Sequence, residues 1–351
     1  MRKISLKQQK IIEIILKNGI AQSSKIHKEL TMSGEIISLV TVKRALSEMV
    51  DLGVIFKIGA GRSASYDVSV IGKIFADIDA KKYCAIEPDM RYGLSKYNFE
   101  LFPGFSEDIF SDNETRILNS ATAEYELRIK DLPQAIQKKE LERLIIELSW
   151  KSSRIEGNTY TLLDTEKLIL ENKEAAGHDK KEATMILNHK DAFTYIHKNS
   201  TQFKSLTKKN LEELHAILVK DLNVGFGLRE KLVGVIGSKY QPLDNVHQIK
   251  DAIEALSALI SKMQTPYAKA LIALIGISYI QPFEDGNKRT ARLMANAVLL
   301  AHKLAPLSYR SVEENEFREA MLVFYEINSI IPMKRIFIEQ YNFAARNYAV
   351  K

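Results

Sequence analysis

The sequence is poor in cysteine and has no long apolar run. Cys84 is the one cysteine among 351 residues, which excludes a disulfide framework and fits a reducing compartment. The most apolar run, Leu271–Ile280, is too short to cross a bilayer, and the N-terminus reaches Glu13 without the apolar segment of a signal peptide. We therefore expect a soluble, cytoplasmic protein with no membrane partner. Hydrophobic residues make up 46% of the chain, enough to form the cores of two or three domains.

The positive charge is concentrated at the N-terminus. The formal net charge is +6, and residues 1–70 hold eleven Lys and Arg against six Asp and Glu, a net charge of +5. This concentration is typical of a nucleic-acid-binding module, although a basic solvated surface has the same charge.

Residues 1–70 show the pattern of a small helical domain with a hairpin. The apolar spacing predicts helices over 6–18, 23–30 and 38–52, followed by short strands over 54–58 and 64–68 around a glycine-rich turn. This order resembles a winged helix-turn-helix domain, in which the third helix and the wing contact DNA. The same fold also serves as a protein-interaction module. The candidate DNA-binding residues are Thr41, Lys43, Arg44 and Arg62.

A second pattern centres on the stretch QPFEDGNKRTAR, residues 281–292, between two predicted helices. Gly286 allows a tight turn, and the amides that begin the second helix are free donors for an anion. Arg289 and Arg292 share a helix face, and Asp285 beside them is suited to the metal ion that accompanies phosphates. These residue types predict a polyphosphate site.

This stretch, the motif stretch, resembles the motif of the Fic family. Eight positions match, namely Pro282, Phe283, Asp285, Gly286, Asn287, Lys288, Arg289 and Arg292. The resemblance implies a mainly α fold, a Fic helical bundle with a β-hairpin flap, that transfers AMP from ATP, with Mg²⁺ held by Asp285, to a protein hydroxyl. It implies nucleotide-binding roles for Asp285, Gly286, Asn287, Lys288, Arg289, Thr290, Arg292 and Phe317, with Phe283 and position 281 at the catalytic centre.

The departure from the family motif is at position 281. The family has its catalytic histidine there, which takes the proton of the target hydroxyl, whereas this chain has Gln281. Glutamine does not titrate near neutral pH and cannot act as that base. The sequence therefore leaves two functions open: a weak adenylyltransferase, or an inactive nucleotide- or peptide-sensing regulator that binds DNA.

Upstream, a predicted helix over 138–157 ends in a second family feature. Ser152, Glu156 and Gly157 match the inhibitory motif of many Fic proteins. In the family this glutamate pairs with the second arginine of the motif, here Arg292, and competes with the nucleotide phosphates for one guanidinium group. A surface glutamate that closes a helix is the alternative interpretation.

The apolar segment 230–242, the flap segment, predicts two short strands with Gly237 at or near their turn. Its position resembles the Fic flap, whose open edge pairs with the target protein; an unspecialised hairpin is the alternative. The candidate flap residues are Val235, Ile236, Gly237 and Ser238.

The predicted organisation has three parts. Residues 1–70 form the winged helix-turn-helix domain, 71–135 a connecting segment and the start of the Fic region, and 136–351 the Fic domain. The expected partners are ATP, a target protein at the flap segment and DNA at residues 1–70, and a homodimer is left open. We interpret His189, His197 and His215 as structural histidines with satisfied hydrogen bonds.

Overall fold

The computed structural model describes residues 4–350, without the side chain of Arg62. The chain forms two compact units. The N-terminal unit comprises the residues up to Ser106 together with Val235–Gln241 and Glu319–Met333. The motif unit comprises Glu107–Gly234, Pro242–Arg318 and the residues from Lys334 onward.

Helices dominate the described residues, and the only named sheet among them has three strands. The elements are α1 Leu6–Asn18, β1 Ala21–Gln22, α2 Ser23–Met32, α3 Leu39–Asp51, β2 Ile55–Ile58, β3 Ser65–Val68, α4 Val70–Ile74, α5 Ala80–Cys84, α6 Asp112–Ile129, α7 Gln134–Ile155, α8 Leu162–Glu171, α9 Lys180–Lys198, α10 Lys208–Leu218, α11 Val246–Lys262, α12 Pro266–Ile280, α13 Asn287–Ala301, α14 Glu314–Ile327 and α15 Ile331–Asn347. A mainly α fold is thereby confirmed. None of the helices described is both long and apolar enough to span a membrane.

The N-terminal unit begins with three helices and an antiparallel sheet of order β1-β3-β2. Ser5 caps α1 in a capping box with Gln8, and Ser38 caps α3. The buried face of α3 includes Val42, Leu46 and Met49, as its spacing predicts. The helices and the two longer strands lie where the sequence predicts them. The sequence does not reveal β1, because two residues are too few to show alternation.

The motif unit is built around α12, whose residues are buried on every side. A helix that is apolar all round belongs in the interior. Helix α13 packs on α12 and also contacts α7, α9 and α10. The loop between α12 and α13, which carries the motif, is therefore held by a rigid core.

The predicted strands of the flap segment are not formed. Among the described residues, 230–242 contain a turn at Ile236 and Gly237, and an isolated bridge joins Gln241 to Lys96, but no strand pair is present. Gly237 has a φ of 75°, so the predicted turn is correct. Beyond the hydrogen bond that closes the turn itself, Ser238 N to Val235 O, the backbone after the turn bonds elsewhere in the N-terminal unit; Gln241 N donates to Ser95 O at 2.9 Å.

Candidate functional site

The motif loop is fixed by its own side chains. Gly286 is the N-cap of α13 with a φ of 77°, and a Cβ there would lie 3.3 Å from a methyl group of Val219. Asn287 clamps the loop, since its amide donates to Phe283 O and accepts from Phe283 N, both at 2.8 Å. Thr290 is buried and donates its hydroxyl to Gly286 O at 2.9 Å. Asn287 and Thr290 therefore hold the loop in place, and their predicted contacts with a nucleotide stay predictions.

Phe283 anchors the motif loop through a buried aromatic contact. It is fully buried and stacks on His215, with ring centroids 3.7 Å apart and ring planes at 6°. Nε2 of His215 lies 3.0 Å from the carbonyl of Asp285, so it donates there as the neutral tautomer. Burial lowers the pKa of His215 to about 4, which keeps the ring neutral near pH 7.

Gln281 is the C-cap of α12, in the left-handed region with a φ of 52°. Its side chain is turned back on its own helix, and Nε2 donates to Ser278 O at 2.6 Å. The residue is 6% exposed, so its amide is buried in this position. An amide can accept a hydrogen bond from a hydroxyl group but cannot take its proton near neutral pH.

Arg229, which the sequence analysis does not single out, fixes the start of the motif stretch. It is 2% exposed, its Nε donates to Gln281 O at 2.6 Å, and its backbone N donates to Pro282 O at 3.0 Å. Its other nitrogens donate to the carbonyls of Lys231 and Leu243. An arginine spaced some fifty residues from the motif stretch shows no pattern that would reveal this role.

The two motif arginines are both buried, as a phosphate site requires. Arg289 is 2% exposed and Arg292 0% exposed. Nη2 of Arg289 lies 3.3 Å from Oδ2 of Asp285, whose side chain is 67% exposed and so accessible to a cation. Among the described residues, Nη1 of Arg289 has no hydrogen-bond partner. Buried guanidinium donors without partners mark a position where an anion can bind.

Glu156 pairs with the other motif arginine, Arg292. Its Oε1 lies 2.8 Å from Nη1 of Arg292, and its Oε2 lies 3.5 Å from Nζ of Lys288. Burial works against the charged carboxylate, yet the charges of Arg292 and Lys288 outweigh it and hold the pKa of Glu156 below its ordinary value. The Glu156–Arg292 contact has the distance of a hydrogen bond but not its alignment.

Ser152 completes the hold on Arg292. Its hydroxyl accepts from Nε of Arg292 at 2.9 Å, and its carbonyl accepts from Nη2 at 2.8 Å. Gly157 ends α7 with a φ of 99°, and this turn leaves Glu156 as the C-cap. All three predicted inhibitory residues therefore lie at one end of α7, two of them in contact with Arg292.

An aromatic ring covers the second arginine. The guanidinium of Arg292 lies 5.7 Å from the ring centroid of Phe317, which is 2% exposed and packs edge-on against Tyr309. Arg318 beside it donates Nε to Ile155 O at 2.8 Å and so ties the start of α14 to the end of α7. Phe317 lies next to Arg292, and its predicted nucleotide contact stays a prediction.

His189 departs from the expectation for a structural histidine. It is fully buried on α9, and within residues 4–350 neither ring nitrogen has a hydrogen-bond partner. Burial and the nearby charges of Arg292 and Arg289 lower its pKa well below the ordinary value. The expectation of satisfied hydrogen bonds is therefore wrong for His189.

Two of the predicted DNA-binding residues are exposed on the surface of the N-terminal unit. Lys43 and Arg44 are exposed on α3, whereas Thr41 is half-buried and its hydroxyl lies 2.9 Å from that of Ser38. The side chain of Arg62 lies outside the described part of the structure. In the flap segment, Ile236 is 96% exposed and Val235 is buried.

The architecture is that of solved Fic proteins. Fic-1 (residues 134–508) from C. elegans matches 67% of this chain and 71% of its own with a TM-score of 0.57 at 16% identity. A Fic family protein from Desulfovibrio desulfuricans matches 69% of this chain and 75% of its own, also with a TM-score of 0.57, at 18% identity. At these identities the likeness shows the fold.

Sequence comparison identifies the domain that carries the motif. Residues 205–299 match the Fic/DOC family, so this chain carries a Fic/DOC domain. Similar curated proteins are the protein adenylyltransferases Fic of Nematostella vectensis, 26% identical over 48% of this chain and 41% of its own length, and of Drosophila yakuba, 28% identical over 48% and 34%. The chain thus spans less than half the length of these relatives.

Proposed function

We propose that the motif unit is a restrained nucleotide site of the adenylyltransferase type, whose transfer step is slow because position 281 lacks a base. The observation that carries this proposal is the contact of Glu156 with Arg292, supported by Ser152. A carboxylate placed on a buried guanidinium occupies the position that a polyphosphate would take.

The residues present fit Mg-ATP. Arg289 has a buried donor without a partner among the described residues, Arg292 would gain one when Glu156 leaves, and α13 begins without a side-chain cap on its first amides. Asp285 would hold the metal ion, which supplies charge neutralisation for the phosphates. Lys288, 32% exposed, adds a cation at the rim.

Removal of the proton from the target hydroxyl is the step that this site supports least. Gln281 can orient a hydroxyl group through its amide, but the proton must leave without a side-chain base at this position. Loss of a general base typically lowers a rate by roughly 100- to 10,000-fold. Binding and orientation are separable from that step, so a nucleotide would still bind.

Two measurements test the proposal. Isothermal titration with Mg-ATP is run on the natural chain and on Glu156→Gly, which we expect to bind more tightly. Intact mass after incubation with Mg-ATP is then compared for the natural chain, Glu156→Gly, Gln281→His and the double variant, and we expect an AMP-sized gain mainly in the double variant. Absence of nucleotide binding in every variant would overturn the proposal.

A second candidate function is DNA binding by the N-terminal unit, so that the chain acts as a nucleotide- or peptide-sensing regulator. It is favoured by the exposed cations Lys43 and Arg44 on α3 next to the β2–β3 hairpin, in a region of net charge +5. The test is affinity for duplex DNA across salt concentrations. We expect a linear fall of log affinity with log salt, less steep by about one for each of Lys43→Ala and Arg44→Ala. A salt-independent affinity would count against this function.

A further inference from the structure

The flap segment is more exposed before its turn than after it, although Val235 directly before the turn is buried. Before the turn, Leu232 is 77% exposed, and at the turn Ile236 is 96% exposed. After it, Tyr240 is buried and stacks on Tyr325, with centroids 5.6 Å apart and planes at 5°. The two sides therefore differ in how far the surrounding protein fixes them.

The fixed side is attached to one buried carboxylate. Glu326 is fully buried on α14, and its Oε1 accepts from the Ser238 hydroxyl at 2.6 Å. The same oxygen lies 3.3 Å from Nη1 of Arg91, which also donates to Gly237 O at 2.8 Å. Tyr83 donates its hydroxyl to Oε2 at 2.7 Å. A buried carboxylate is stable only when its oxygens are paired in this way.

Ser238 relays this contact into the backbone of the turn. Its hydroxyl oxygen accepts from the backbone N of Tyr240 at 3.1 Å, and its own backbone N donates to Val235 O at 3.1 Å. One hydroxyl group thus joins the turn, the residue two positions later and the buried carboxylate. Deleting it leaves the other contacts of Glu326 in place.

The carboxylate belongs to the core of the N-terminal helices. Val323 and Ile327, on either side of Glu326 along α14, pack in one buried cluster with Tyr83 and with Ile11 of α1. Glu326 therefore lies next to the packed core of this unit. The same unit contains Val235–Gln241.

We propose that Glu326 is a positioning residue of the flap segment, acting through Ser238 and Arg91, so that the turn at 236–238 keeps one conformation set by the N-terminal unit. The inference rests on the proposed function, together with the expectation from the sequence that the flap segment pairs with the target protein and so aligns its hydroxyl group. It goes further by assigning the alignment to a buried ion pair in place of strand pairing.

The test compares backbone amide exchange at 235–241 in the natural chain, Ser238→Ala and Ser238→Thr. Hydrogen bonds to a charged acceptor have strengths that correspond to about a 10- to 100-fold change in an opening equilibrium. We expect Ser238→Ala to speed exchange at the Ser238 and Tyr240 amides by such a factor. Ser238→Thr, which keeps the hydroxyl, should restore most of the protection.

A matched control separates positioning from general destabilisation. Glu114→Gln alters a carboxylate of the motif unit that is partly buried and pairs with a cation, Lys334, at 2.9 Å. It should leave exchange at 235–241 within about twofold of the natural chain. Unchanged exchange in Ser238→Ala would overturn the proposal, and so would faster exchange spread evenly over α1–α3 together with a lower melting temperature.

The functional readout is kept separate. In the Glu156→Gly, Gln281→His background, Ser238→Ala should slow the AMP-sized mass gain of the chain while leaving Mg-ATP affinity unchanged. If that background shows no mass gain at all, the proposed function fails, and amide exchange still decides whether Glu326 positions the turn. An unchanged rate of mass gain with accelerated exchange would overturn the link between the turn and transfer.

Discussion

At one end of the motif stretch Arg292 is fully buried and held by Glu156 and Ser152, whereas at the other end Gln281 is 6% exposed and donates to the carbonyl of Ser278. Both side chains are occupied by protein partners. They differ in what release would provide. Release of Arg292 exposes a permanent cation that can bind phosphate, while release of Gln281 exposes a neutral amide that cannot take a proton.

The two ends therefore differ in kind. In the proposed function Arg292 is restrained by a carboxylate, whereas position 281 lacks a base. Under that proposal the arginine end retains a buried charge, and Glu156 there is a competitor that another anion would displace, so its state would be reversible. Position 281 itself has no titratable group, because a change of conformation does not turn a glutamine amide into a base. The comparison therefore predicts that substitutions at the two ends will act on different quantities, the rate of transfer at position 281 and the affinity for nucleotide at position 156.

The largest effect is expected from Gln281→His. In the Glu156→Gly background this change should raise the rate of AMP transfer by roughly 100- to 10,000-fold, because it supplies a general base. The backbone at 281 has a φ of 52°, a region in which histidine is several-fold enriched over other residues, so the change should fold. The measurement is intact mass against time.

Gln281→Asn is the control, since it keeps an amide and the left-handed conformation. A mass gain as large with asparagine as with histidine would break the comparison, because it would show that a base at this position is not needed.

The next effect is expected from Glu156→Gly. Removing the carboxylate frees a buried guanidinium, and hydrogen bonds to charged groups contribute about 1.5–3 kcal/mol, so Mg-ATP affinity should rise about 10- to 100-fold. Isothermal titration measures it. Glu156→Gln, of similar size but neutral, should give most of the same rise; if it behaves like the natural chain, steric filling and not charge restrains the site.

The pH dependence of stability that His189 contributes tests whether the charges of Arg292 and Arg289 act on its ring. Its folded pKa is lowered by burial, Arg292 and Arg289, while the unfolded pKa is about 6.5. Below pH 6.5 the unfolded chain takes up a proton that the folded chain refuses, so the stability is complete above pH 6.5 and is lost as the pH falls. One such histidine gives a slope of about 1.4 kcal/mol per pH unit in the free energy of unfolding.

His189→Leu, which has a similar apolar volume, should reduce that slope by this amount in urea unfolding between pH 6.5 and 5. His215, whose pKa is lowered as well, contributes in the same direction and remains in the variant. An unchanged slope would mean that His189 is protonated in the folded protein, so that the arginines do not govern it.

Local patterns account for much of what the sequence predicts correctly. The Ser5 capping box, the apolar spacing of α3 and the position of Gly286 each depend on residues within a few positions of one another. The contact of Glu156 with Arg292 joins residues far apart in sequence. The sequence predicts it only because the segments around both residues resemble motifs of one family.

The rest depends on pairings that leave no local trace. The flap segment has two short apolar runs before Gly237 and a turn residue that predict a hairpin, yet its turn is held by Arg91 and Glu326, which are remote in sequence. The same holds for Arg229, which donates to the carbonyls of Lys231 and Leu243, near the two ends of the flap segment, and to that of Gln281 at the start of the motif stretch. A lone charged residue has no periodicity, so its burial and partners cannot be inferred from its position.

The smallest effect concerns Lys288, the second cation on Glu156. Its Nζ lies 3.5 Å from Oε2, and its side chain is 32% exposed, so the pair contributes less than about 1 kcal/mol. Lys288→Met should therefore change Mg-ATP affinity by less than about fivefold in the natural background, because the weaker hold on Glu156 and the loss of a rim cation have opposite signs. The same change in the Glu156→Gly background removes the first contribution and leaves only the second, so affinity should fall there. If Lys288→Met raised Mg-ATP affinity in the natural background as much as Glu156→Gly does, the pair of Glu156 with Lys288, and not that with Arg292, would restrain the site. Salt can screen such a partly exposed ion pair, so the restraint would then weaken as ionic strength rises.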